Sequence, residues 1–215
     1  PVSVAPLDSI EASVAQAAQE EACALLFLDI LGRDRLTQAM LPQDLQWALT
    51  DVYRAFEKSV RSNGGIVLHV GQEHASALFA AGRDPAAAAR RALAASSALE
   101  AEIDRIVLAL KDHWGAELDV AIAAHFGPVL LDPAILTADS RLAVVVGRAI
   151  DEIDHIRRAL AARRGGIGIS ALLAETGAVA VPGDLEKIDE ISILMRNRRG
   201  KMGRLEPEKG RITPL

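Results

Sequence analysis

Apolar positions in this chain fall into two alternating rhythms, short unbroken runs and longer stretches with one apolar residue every three or four. The first run, Cys23-Ala24-Leu25-Leu26-Phe27-Leu28, leads into Asp29-Ile30. It is too short for a typical helix and too apolar for a half-exposed strand, so Cys23 to Ile30 predicts a central strand buried on both faces, with Asp29 at its end. From Pro42 to about Asn63, the residues Leu45, Leu49, Val52, Phe56 and Val60 keep helical spacing, and Pro42 suits a first turn. Asn63-Gly64-Gly65 stops that helix. Ile66 to Val70 and Ala75 to Ala80 then predict a hairpin around the polar tip Gly71-Gln72-Glu73-His74.

Asp84 as N-cap and Pro85 behind it open a long helix to about His113, with Leu93, Leu99, Ile103, Ile106 and Leu110 inward. Leu118 to Ala124 and Val129 to Leu131 predict two strands joined through His125-Phe126-Gly127-Pro128, and Leu142 to Val146 predicts a third. Arg148 to Arg163 reads as a helix with Ile150, Ile153, Ile156 and Leu160 on its buried side, closed by Gly165-Gly166. A strand at Ile167 to Ile169, a short helix from Ser170, and strands near Ile188 to Met195 and Gly203 to Glu206 complete the chain. Ahead of all these, Ile10, Val14 and Ala17 mark one face of a leading helix over about Asp8 to Glu21. The order of elements predicts an α/β domain of the α+β kind. Its mixed sheet carries helices mainly on one face.

Composition narrows the picture. Half of the 215 residues are hydrophobic, enough for the full core of one domain, while only 3% are aromatic. Stacking of bases on rings is therefore poorly provided for, and a net charge of −5 argues against a surface that tracks a phosphate backbone, so nucleic acid is not an expected partner. The locally basic stretch is Arg196 to Arg204, where Arg198, Arg199 and Lys201 form either a solvated turn or a contact for phosphate or an acidic partner. Cys23 is the lone cysteine, which rules out an intrachain disulfide. With no secretory leader pattern and no run of roughly 18–20 apolar residues, the expectation is a cytoplasmic protein without a membrane span.

Several local patterns carry a resemblance. Phe27-Leu28-Asp29-Ile30-Leu31-Gly32 is similar to an F-x-D-I-x-G segment, and Gly64-Gly65 followed by Ala77-Leu78-Phe79 to a GG…AxF hairpin. Val120 to Val129 resembles GIGIxxGxV, and Val144 to Gly147 followed by Gly165-Gly166-Ile167-Gly168-Ile169-Ser170 resembles VIGD…GGIxxS. In this order they resemble the catalytic domain of class III adenylate and guanylate cyclases, as a degenerate member. The resemblance implies a ferredoxin-like βαββαβ core over residues 22–208, preceded by a helical segment at 1–21 and followed by a tail at 209–215.

That family joins a ribose 3′ hydroxyl to the α-phosphate of a nucleoside triphosphate, expelling pyrophosphate, with two divalent ions held on two carboxylates. The resemblance puts Asp29 at the first of these positions and Glu73 at the second, with Mg or Mn as the implied ions. His69 falls at the base-reading Lys and Arg148 at the Asp that works with it. Asp151 and His155 fall at the Asn and Arg that steady the transition state, four residues apart on one helical face. The family supplies these groups from the other subunit of a head-to-tail dimer, which implies a homodimer or a heterodimer with another cyclase domain. An acid and an imidazole in place of a neutral amide and a forked cation remove about two to three powers of ten in rate per group.

The expectation is a regulatory or dimerisation module of intracellular signal transduction that has lost efficient turnover. Two alternatives stand beside it: a half-site that supplies Asp29 and Glu73 to a heterodimeric cyclase, and an unrelated ferredoxin-like binding module. The residues also permit plainer roles. Asp29 suits the capping of a turn, His69, Glu73 and His74 a transition-metal cluster, and His125 a structural position.

Overall fold

The computed structural model describes residues 19–71, 73–131, 145–188 and 190–196. Along the chain come β1 (Gln19–Leu31), α1 (Arg33–Ala39), α2 (Pro42–Ser62), β2 (Ile66–Val70), β3 (His74–Ala80), α3 (Pro85–Trp114) and β4 (Asp119–Leu131). Then follow α4 (Arg148–Ala162), β5 (Gly166–Ser170), α5 (Ala171–Gly177), β6 (Asp184–Ile188) and β7 (Ile191–Arg196). Among the described residues the strands form one seven-stranded sheet in the order β2-β3-β1-β4-β5-β7-β6, parallel only between β4 and β5. No helix among the described residues is long and apolar enough to cross a membrane.

The unbroken apolar run of β1 has a simple cause: side chains alternate across the sheet, and both faces are covered. Ala24, Leu26, Leu28 and Ile30 face the larger core beneath α2, α3 and α5. Cys23, Leu25 and Phe27 face the smaller core beneath α4, where Ala149, Ile153, Ile156 and Leu160 are buried. Each fully buried aliphatic chain there contributes about 1.5–3 kcal/mol. Gly168 of β5 allows the close approach of α4, because a Cβ at that position would lie 2.6 Å from Cγ2 of Ile156. Asp29 and His125 share the parity of this smaller core, and α4, the only helix against that face among the described residues, supplies their partners.

Several expectations change. Gln19 to Glu21 belong to β1, not to a leading helix; the rest of that helix lies outside the described residues. Asp119–Leu131 is one continuous strand, with His125 to Pro128 paired to β1 instead of turning. Pro128 fits because Leu130, two residues on, donates its N–H to Val146 at 2.7 Å, on the edge of β4 facing away from β1. The proline nitrogen therefore points away from the β1 ladder, where no donor is needed. Of the strand expected at Leu142 to Val146, residues 142–144 lie outside the described residues, and Val146 forms an isolated bridge with Leu130. The apolar stretch near Ile188 to Met195 is the β6–β7 hairpin, and α1 is an additional short helix starting after Gly32. Gly203 to Glu206, like Arg198, Arg199 and Lys201, lies outside the described residues.

Candidate functional site

The end of β1, the β2–β3 turn and one flank of α4 enclose a cleft of about 340 Å³. Asp29 pairs in register with His74 of β3 on one side and Ala121 of β4 on the other. Ile30 donates its backbone N–H to the Glu73 carbonyl at 2.8 Å, which fastens the hairpin turn to β1 and brings Glu73 to the same cleft. The two carboxylates expected to act together are thus neighbours, Asp29 largely buried and Glu73 exposed.

Asp29 is already engaged. Nε and Nη2 of Arg157 donate to its Oδ2 and Oδ1 at 2.8 and 2.7 Å, and Nη1 donates to Oδ1 of Asp154 at 2.6 Å. The guanidinium also lies 4.8 Å from the ring centre of Phe27, two residues before Asp29 on the same face of β1. The bonds to Asp29 raise the Arg157 pKa above its already high ordinary value, against the opposing effect of burial. Forked pairing of this kind is geometrically specific and stronger than a bond between neutral groups.

Hard oxygens such as those of Asp29 and Glu73 suit Mg or Mn. In this arrangement, however, both Asp29 oxygens accept from a guanidinium, and no three His, Cys, Asp or Glu side chains among the described residues are placed to hold an ion. The residues do not fit a divalent metal here. The same holds for a transition-metal cluster of His69, Glu73 and His74. The two imidazoles stack on each other with ring centres 4.6 Å apart. Burial, then the charges of His69 and Arg157, lower the His74 pKa.

At about 100° per residue, α4 presents three surfaces besides its buried stripe. Asp154, Arg157 and Arg158 line the cleft. On the opposite flank, Glu152 accepts from Nε of Arg148 at 2.7 Å and lies 2.7 Å from Nε2 of His125. Burial works to raise the Glu152 carboxyl, but its bonds with Arg148 and His125 outweigh this and hold it below the usual range. With Glu152 ionised, the His125 ring must donate through Nε2–H. Its buried Nδ1 has no hydrogen-bond partner, and burial lowers its pKa.

Between the two flanks stand Asp151, exposed, and His155, partly exposed, turned away from the core. The single chain therefore unites Asp29 with Glu73 and keeps Asp151, His155 and Arg148 outside their cleft. His69 stacks on His74, which lines the cleft. Sequence reasoning missed Arg157 and Asp154; their spacing of three on a helix was the only local trace of the pair.

Neither a protein-family model nor a curated protein sequence matches the chain. Solved structures do. The guanylyl cyclase Cya2 superposes with a TM-score of 0.66 at 16% identity, over 83% of this chain and 93% of that one. The adenylyl cyclase CyaB from P. aeruginosa gives 0.61 at 17%, over 85% and 97%. A dimeric guanylyl cyclase domain of the RhoGC fusion protein from the aquatic fungus Blastocladiella emersonii gives 0.59 at 14%, over 83% and 95%. With its seven-stranded sheet and the disposition of helices around it, the chain has the fold of the adenylyl and guanylyl cyclase domains.

Proposed function

We propose that this chain is a cyclase-fold domain of intracellular signal transduction that does not turn over nucleoside triphosphates as a homodimer and serves as a regulatory or dimerisation module. The supporting observation is the outward face of α4. There an exposed Asp151 stands where the resemblance requires a neutral ribose-orienting amide, beside His155 where it requires a forked cation. A carboxylate beside a triphosphate repels it, and an imidazole is a weaker donor whose charge depends on pH. Arg148, three residues before Asp151 on that helix, bonds Glu152 of its own chain. These losses act on charge developing at phosphorus, where donors matter most.

The alternative half-site of a heterodimeric cyclase is favoured by the convergence of Asp29 and Glu73, but it requires Asp29 to leave Arg157 first. Purified protein, shown by sedimentation to be dimeric, should yield no cyclic nucleotide above background from ATP or GTP with Mn. Robust cyclic product from the isolated homodimer would overturn the proposal.

A further inference from the structure

The cleft's arginine is held as an ion would be held. Asp29 gives Arg157 both oxygens, Asp154 takes the remaining nitrogen, and Phe27 turns its ring toward the guanidinium. The two side chains of the main pair are 23% and 13% exposed, so salt screens them little. Every nitrogen of the guanidinium is used, and its charge is permanent. In formal charges, the carboxylates of Asp29, Glu73 and Asp154 stand against the guanidiniums of Arg157 and Arg158 in this cleft. Without Arg157 they would exceed the remaining cation by two negative charges, the charge of one divalent ion.

We infer that Arg157 is the built-in cation of this cleft: it occupies the place of a divalent ion against Asp29, makes the cleft independent of metal, and fastens α4 to β1. The inference deepens the reading of a domain without turnover and rests on it. Metal can reach Asp29 only by displacing a bidentate partner carried on a packed helix, so this carboxylate is closed to cations by its own chain.

The test uses the full chain and Mn²⁺ alone, by calorimetric titration and by thermal melting. Wild type should give no binding heat, and its melting midpoint should not move with Mn²⁺. Arg157→Gln should gain a site with Kd on the order of 10⁻⁴–10⁻³ M, the range of weak oxygen-ligand sites, and should melt higher when Mn²⁺ is added. Adding Asp29→Asn should abolish the gain. Should Arg157→Gln fail to fold, Arg157→Met keeps an apolar stem over Phe27 and takes its place. Asp29-dependent Mn²⁺ binding by wild type would overturn the inference, as would a folded Arg157 variant that binds no better than wild type. Mn²⁺ binding at Asp29 without cyclic product would defeat this inference alone. Cyclic product that survives Asp29→Asn would defeat only the functional reading.

Discussion

Nε2 of His125, in the middle of β4, lies 2.7 Å from Oε2 of Glu152 on α4. The groups facing this imidazole are the Glu152 carboxylate and, behind it, the Arg148 guanidinium. Burial holds the His125 pKa below the ordinary histidine value, and burial likewise depresses His74. The unfolded chain therefore takes up protons near pH ~6.5 that the folded chain refuses, so stability is full above that pH and declines below it. Glu152, depressed in the fold, adds a second loss as the pH falls below the ordinary glutamate range, about 4.3. Melting midpoints should fall from about pH 7.5 to about pH 5.5, and His125→Gln should flatten the fall. An unchanged slope in that variant would remove His125 from the account.

Restoring the two expected transition-state groups should not restore chemistry. Each such group is worth about two to three powers of ten where the rest of a site is intact. Here Asp29 remains bound by Arg157. The double variant Asp151→Asn with His155→Arg should therefore stay at background in a cyclic-nucleotide assay with ATP or GTP and Mn. Product above background would mean that Asp29 releases its arginine readily.

Gly165 closes the turn between α4 and β5 with φ of +105°, and a Cβ there would lie 2.4 Å from the Val120 carbonyl oxygen. Backbone cannot yield as a flexible side chain does. Gly165→Ala should destabilise by about 2–4 kcal/mol in chemical denaturation, combining strain in φ with the clash. A loss below about 0.5 kcal/mol, the level of an ordinary surface change, would contradict this geometry.

Cys23 is fully buried, and its thiol is pushed up to about 12 by that burial first and by the neighbouring Glu21 second. Thiolate is the reactive form. The native protein should react with an aromatic disulfide reagent only at the rate of its opening, while denatured protein reacts at once. Rapid modification of the folded chain would contradict the buried position.

How much of this was legible beforehand depends on range. The run from Cys23 to Leu28 revealed a strand with two covered faces, and the spacing from Leu45 to Val60 revealed α2, because these are local periodicities. His125 to Pro128 misled because a Gly-Pro pair signals a turn, whereas the edge that would notice a missing N–H is the one facing away from β1. The convergence of Asp29 and Glu73 followed from the resemblance and the hairpin. The hold of Arg157 on Asp29 did not, since 128 positions separate the pair and no spacing encodes which helix covers which face.

The two flanks of α4 are bolted to different strands, Arg157 to β1 and Glu152 to β4, with Gly168 seating Ile156 between them. A rod pinned along both sides cannot roll about its own axis.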